Sequence, residues 1–283
     1  MRTLLPILLS GALGYAVLMA YVYFFQARLV YFPNVPGRAL TATPSQIGLK
    51  YEEIRVTTAD GVELHGWYVP APAGAPAVLI CHGNAGNIAH RLDWLALFRG
   101  MGCAVLLFDY RGFGQSHGSP TEQGTYLDAQ AAWDYLTHTR GFSPAEIVLV
   151  GESLGGPIAA HLAKDVTPAA LILVSTFTSV LDLARIFYWY LPVRLLARFH
   201  YPTATYLARA KVPTLLVHSR EDRTTPFSHS ETLRSCASGP AQLLEILGDH
   251  NAGFLLSGTK LAAGVRGFLE THGILAASAA PAR

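Results

Sequence analysis

The chain has 283 residues, 51 % of them hydrophobic and only 14 % charged, with a formal net charge of +2 at pH 7. That suffices for a sizeable core and leaves no basic field of the kind that holds nucleic acid. Cys81, Cys103 and Cys236 are an odd set without a C-x-x-C pair, which argues against a disulfide framework or a metal site and for three small buried hydrophobes.

In chain order, Leu4 to Phe25 (LLPILLSGALGYAVLMAYVYFF) carries no charged residue. As a helix it would run roughly 33 Å, the thickness of a bilayer's hydrocarbon core. Residues 1–27 therefore read as a single-pass membrane anchor. A cleaved signal peptide is the rival, but cleavage at Ser10-Gly11-Ala12 would leave too short an apolar region. Arg2 and the amino terminus balance Arg28 and Arg38, so the positive-inside rule assigns the following domain to neither side. Residues 28–49, rich in Pro, Gly and Thr, read as an extended tether.

The domain is expected at 50–275, with a flexible tail at 276–283. Its first segment alternates around Ala59-Asp60-Gly61, the pattern of an antiparallel hairpin. Six apolar, β-branched runs follow (APAVLICHG, CAVLLFDY, EIVLVGE, ALILVST, PTLLVHS, AQLLEILG), most of them separated by helical patterns such as IAHRLDWLALFRG. This alternation predicts an α/β fold: a mainly parallel sheet of about eight strands with helices on both faces.

The run EIVLVGE ends in Gly151-Glu152-Ser153-Leu154-Gly155, and a helical pattern starts at once. Gly-x-Ser-x-Gly between a strand and a helix is a nucleophile elbow, in which the glycines remove side chains that would collide in the reversal. Ser153 becomes the candidate nucleophile. A helix-capping serine is the bland alternative.

A serine hydroxyl needs a base, and the base needs an orienting group. The elbow architecture orders them Ser, acid, His, confining the base to His161, His200, His218, His229, His250 or His272. His229 and His272 sit in helical stretches, and only His250 follows the last strand in an irregular stretch, GDHNAG, where a loop brings an imidazole over the sheet edge. For the acid, Asp222 just past the strand PTLLVHS is favoured; Asp182 and Glu221 stay open, and Asp249 reads as a turn residue. The oxyanion hole is expected from the backbone N–H groups of Leu154 and of Asn84 in CHGNAGN. That glycine-rich loop lacks the Gly-Lys-Ser/Thr ending of a phosphate cradle. Asp109 and Arg111 in DYRGFGQSHG read as a structural pair bracing their loop, with substrate contact as the lesser option. No cofactor is implied.

The motifs HGNAGN, DYRGFGQSHG, GESLGG, HSREDRTTP and GDHN, behind the apolar segment and RLVYFP, resemble the α/β-hydrolase superfamily over about 50–273. They are most similar to its membrane-anchored serine-hydrolase branch of depalmitoylase-like and lysophospholipase-like members. The resemblance implies Ser153 as nucleophile, Asp222 as acid and His250 as base. It also implies that the strands ending at Cys81 and beginning at Cys103 are parallel neighbours, with the two thiols at opposite ends and unbonded. Asp249 stands where the family usually has a small residue.

Residues 176–208 contain LARIFYWYLPVRLLARFHYP, which reads as a small helical lid whose apolar side receives an acyl chain or lies against lipid. Ordinary core helices explain the same pattern. The expected activity is acyl-enzyme hydrolysis of carboxylic esters or thioesters of acyl or lipid-like substrates at a membrane. Amide or peptide hydrolysis by the same triad and a non-catalytic membrane-tethered scaffold are the alternatives. Oligomeric state has no signature.

Overall fold

The computed structural model describes residues 4–277; residues 1–3 of the expected anchor and 278–283 of the expected tail lie outside them. Helix α1 (Leu4–Phe25) contains no buried residue and is long and apolar enough to cross a membrane. Gln26 joins it to a single turn, α2 (Ala27–Val30).

The expected hairpin is β1 (Glu52–Thr57) and β2 (Glu63–Val69), paired antiparallel from Glu52–Tyr68 to Thr57–Glu63. Then come β3 (Ala77–Cys81), α3 (Leu92–Gly100), β4 (Ala104–Phe108), α4 (Glu122–Asp134), β5 (Ile147–Glu152), α5 (Gly155–Val166) and β6 (Ala170–Val174). Three short helices follow, α6 (Val180–Phe187), α7 (Val193–Leu196) and α8 (Thr203–Leu207). The chain closes with β7 (Thr214–Ser219), α9 (Ser228–Cys236), β8 (Ala241–Ile246), α10 (Gly253–Leu256) and α11 (Gly258–Thr271).

The eight strands form one sheet in the order β1-β2-β4-β3-β5-β6-β7-β8. All pairings from β4 to β8 are parallel; β1 and β2 add the antiparallel edge. Successive side chains of a strand point to opposite faces, so β3 feeds two cores. Ala77, Leu79 and Cys81 join the core that includes α4, α5 and α8, whereas Val78 and Ile80 join the one that includes α3 and α11. Burial on both faces is why these strands read as continuous apolar runs.

The strand order reverses at β3, which has β4 on one side and β5 on the other. The loops leaving β3 and β5 therefore diverge and open a crevice beyond the carboxyl ends of the strands, the place where ligands bind in open α/β sheets.

Three expectations change. Residues 28–49 are no free tether. Tyr31 is buried, with its hydroxyl 2.7 Å from that of Tyr201; Phe32 N–H donates to the Asn84 carbonyl (2.8 Å); and Arg38 donates to the carbonyls of Gly114 and Ser116. Aromatic burial and unpaired backbone groups favour docking over solvation. Asp109 and Arg111 do not pair. Arg111 binds Asp128 (2.8 Å) and Asp60 (2.7 Å), while Asp109 is fully buried, accepts from the Ile88 N–H (3.0 Å) and faces His82. Cys81 and Cys103 are buried and free, and β3 and β4 are parallel neighbours, but Cys236 is only half-buried. Burial pushes the Cys81 thiol up to about 12 and the Cys103 thiol up to about 11.

Candidate active site

Between β5 and α5 the chain reverses within two residues, which puts Ser153 at φ +50°. That left-handed conformation is costly for a residue with a Cβ and persists only where its surroundings impose it. Here the Ser153 N–H donates to the Val174 carbonyl (2.8 Å), and the Ser153 carbonyl accepts from the Gly156 N–H (3.0 Å) and the Thr176 hydroxyl (2.7 Å). The flanking glycines are steric necessities. A Cβ on Gly155 would stand 1.9 Å from the Cys81 carbonyl oxygen, and one on Gly151 would stand 2.5 Å from the Gly155 carbonyl oxygen.

His250 reaches the serine from the loop after β8, its Nε2 3.1 Å from Ser153 Oγ. Its Nδ1 is 2.7 Å from Asp222 Oδ2. A carboxylate only accepts, so Nδ1 carries the proton and Nε2 is the bare nitrogen facing the hydroxyl. Asp249 makes a turn, accepting from the Asn251 and Ala252 N–H groups at 2.9 and 2.8 Å.

Asp222 sits in the loop after β7. Its Oδ1 accepts from the N–H groups of Thr224 (2.9 Å) and Thr225 (2.7 Å). Burial pushes this carboxyl up, but hydrogen bonds from His218, His250 and the Thr225 amide outweigh it and hold the group well below the usual carboxylate range. The residue therefore stays ionised beside His250.

His218 was missed as a site residue because it closes a strand. Its Nε2 donates to the Thr225 carbonyl (2.8 Å) and lies 3.3 Å from Asp222 Oδ2, while its Nδ1 faces the Ser230 hydroxyl at 2.6 Å. The available signal was its position, four residues before Asp222 across a tight loop. The rival acids are not brought to His250. Ser179 caps α6 by accepting from the Asp182 N–H, and the Asp182 carboxylate accepts from the Ser179 and Thr178 hydroxyls, while His250 Nδ1 meets Asp222 and not Glu221. Among the rival bases, His161 stacks on Tyr126 at 3.8 Å and His229 binds Thr178.

Asn84 and Leu154 both line the crevice beside Ser153. Among the described residues, neither backbone N–H donates to a protein acceptor. The Asn84 loop is held by its own carbonyl, which accepts from Phe32, and by its side chain, which donates to the Val30 carbonyl (3.1 Å). Beneath it, buried His82 donates from Nδ1 to the Gly83 carbonyl (2.7 Å), and its Nε2 lies 3.5 Å from Asp109 Oδ1. Burial pushes Asp109 up to about 8 and His82 down to about 3, and so favours the uncharged form of both. Among the described residues no cluster of three His, Cys, Asp or Glu side chains could hold a metal ion.

Ser153 and His250 stand at the mouth of a mostly apolar cavity of about 410 Å³. Its walls include Phe177, Leu183 and Leu191 from the lid segment, and also Val22, Gln26 and Leu29 from the end of α1 and from α2.

Comparison with known proteins places the chain. A family model described as alpha/beta hydrolase fold matches residues 76–206. The chain is 36 % identical to an uncharacterized protein of Mycobacterium tuberculosis over 96 % of both chains. It is also 36 % identical to the alpha/beta hydrolase domain-containing protein WAV2 of Arabidopsis thaliana, over 80 % of this chain and 78 % of that one. Among solved structures, the esterase Pf2001 of Pyrococcus furiosus aligns with TM-score 0.71 at 20 % identity, covering 86 % of this chain and 97 % of the other. The eight-stranded sheet, the family model and these relatives agree: the chain belongs to the α/β-hydrolase family.

Proposed function

We propose that this protein is a membrane-anchored serine hydrolase that cleaves carboxylic ester or thioester bonds of acyl or lipid-like substrates. The carrying observation is the continuous line from Asp222 Oδ2 to His250 (2.7 Å) and from His250 to Ser153 Oγ (3.1 Å) at the mouth of an apolar cavity. Kinship with an esterase fold supports the reaction class by analogy only.

In the first half-reaction Ser153 Oγ attacks the acyl carbon while its proton passes to His250 Nε2, and Asp222 stabilises the imidazolium. The former carbonyl oxygen takes the negative charge and is held by the Asn84 and Leu154 N–H groups, helped by the amino end of α5. Collapse expels the alkoxide or thiolate, which takes the proton from His250. A water then repeats the sequence, releasing the carboxylic acid and restoring the serine hydroxyl.

Membrane attachment rests on the length and apolarity of α1 and on its having no buried residue. Among the described residues that line the cavity there is no Asp, Glu, Lys or Arg, which suits an acyl chain better than a peptide. Full-length protein in detergent is expected to label at Ser153 with a fluorophosphonate and to hydrolyse p-nitrophenyl butyrate with an initial burst. Unchanged turnover in Ser153→Ala would overturn the proposal.

A further inference from the structure

The wall that α1 and α2 contribute to the cavity goes beyond anchoring. Gln26, at the joint between them, is 9 % exposed and is tied to the last residue of α7 and the segment after it by three hydrogen bonds. Its Oε1 accepts from the N–H groups of Arg198 (2.7 Å) and Phe199 (3.2 Å), and its Nε2 donates to the Leu196 carbonyl (3.0 Å). Farther down α1, Tyr15 donates its hydroxyl to the Tyr190 carbonyl (2.8 Å). The lid thus runs along the side of α1 instead of standing above it.

The level of the membrane surface can be read from the same helix. Arg28 lies over the Phe25 ring at 5.0 Å and Arg198 over the Tyr23 ring at 5.5 Å, the aromatic and basic pairing of an interface. Tyr15 is ten residues before Phe25, about 15 Å of helix. With α1 spanning a bilayer, a loop that meets Tyr15 lies on the hydrocarbon side of that level. The lid's outermost side chains agree: Trp189 is 81 % and Leu195 82 % exposed, and Ile186 and Phe187 are also exposed. Arg194 and Arg198 are exposed among them, so this is an apolar surface studded with arginines and continuous with α1, a combination matched by acyl chains and anionic headgroups together.

We propose that the catalytic cavity is loaded sideways from the bilayer. The substrate is an amphiphile whose ester- or thioester-linked acyl chain already lies in the hydrocarbon and slides between α1 and the lid to reach Ser153. This deepens the hydrolase reading and rests on it. The orientation follows from a second, polar cavity of about 680 Å³ lined by Arg220, Glu221, Arg223 and Asp249, which shares Thr224, His250 and Asn251 with the apolar one. His250 must protonate the leaving group, so that group lies on the polar, aqueous side while the acyl chain occupies the apolar side.

The test uses full-length protein in phosphatidylcholine vesicles. Of the four tryptophans, Trp67, Trp94 and Trp133 are buried, so Trp189 reports the lid. Lipids brominated along the acyl chain are expected to quench a component of the emission that Trp189→Phe removes. Quenching of that component by iodide and not by brominated lipid would overturn the proposal. Hexadecanoyl and butanoyl esters of one alcohol give the second readout. Val22→Trp and, as an independent variant, Leu29→Trp should each lower the long-to-short turnover ratio by about tenfold, the effect of excluding roughly two methylenes from the cavity. An unchanged ratio in both variants sinks the inference, as does equal turnover of the long ester supplied from vesicles and from a soluble carrier. Failure of the wild type to label at Ser153 sinks the hydrolase reading instead, so the two failures are distinguishable.

Discussion

The elbow after β5 and the lid between β6 and β7 bound the same cavity but are built in opposite ways. At the elbow the backbone of Ser153, at φ +50°, is pinned by the Val174 carbonyl, the Gly156 N–H and the Thr176 hydroxyl, and Gly155 lies where no Cβ fits. The lid has a half-exposed amphipathic α6, exposed aromatic side chains and a few polar ties to α1. The contrast teaches that the reacting groups need rigid placement from the sheet. The wall that receives the substrate has to yield, so it draws on weakly held segments.

The largest expected effect is at the rigid side. Ser153→Ala or His250→Ala should each lower kcat for p-nitrophenyl butyrate by roughly 10⁶, since either removes the unit that activates the nucleophile. Asp222→Asn should cost about 10⁴, because an amide in place of the carboxylate favours the wrong His250 tautomer. A loss of less than tenfold in either would mean that the 2.7 and 3.1 Å contacts are not the working geometry.

Gly155→Ala sharpens the contrast without touching a reacting group. A Cβ 1.9 Å from the Cys81 carbonyl oxygen forces backbone apart, for which we expect a loss of about 3 kcal/mol in urea unfolding. The same change at Gly11 of α1, where nothing lies within 4 Å of the new atom, should leave urea unfolding unaltered.

The buried pair below the Asn84 loop sets a pH dependence of opposite sign in its two members. His82, held down at about 3, stabilises the fold above its unfolded value, near 6.5, and that contribution is lost as pH falls toward 3. Asp109, held up at about 8, is fully stabilising below its unfolded value, near 4, and its contribution is lost as pH rises toward 8. Between about pH 6.5 and 8 only Asp109 still contributes a slope. The wild type should lose about 1 kcal/mol per pH unit there relative to Asp109→Asn, measured by denaturant titration. Parallel curves would show that Asp109 is ionised in the fold.

The smallest effect belongs to the yielding side. Gln26→Ala removes the acceptor of one buried and one partly buried N–H group and should cost about 1 kcal/mol locally, seen as faster hydrogen exchange at Arg198 and Phe199 and no change at Ser153. Uniform acceleration over both regions would mean that lid and elbow open together.

These particulars also mark how far the residues could be read in one dimension. The parallel strands were legible because burial on both faces makes them continuous apolar runs, and the elbow because Gly-x-Ser-x-Gly bridges a strand and a helix. Chain order alone led to His250 and Asp222, since the fold presents strand-end loops at one edge. His218 escaped because a strand-terminal histidine carries no pattern, and Arg111 was given Asp109 when Asp60 and Asp128, 51 and 17 residues away, hold it. The tether was read only as extended because Pro, Gly and Thr signal the lack of regular structure, while the docking of Tyr31 and Phe32 depends on surfaces formed elsewhere.

By itself the sequence determined the α/β alternation, the apolar helix at Leu4–Phe25 and the residue types that stand at the strand ends, because each is written in local periodicity or in a short turn that only certain side chains tolerate. Tertiary structure alone decided that Asp222, His250 and Ser153 fall in one hydrogen-bonded line, and that the end of α1 becomes a wall of the cavity they face. The first joins residues up to 97 positions apart and the second is tied by Gln26 to Phe199, 173 positions on, and such pairing is set by how layers pack around a sheet and not by any neighbour along the chain.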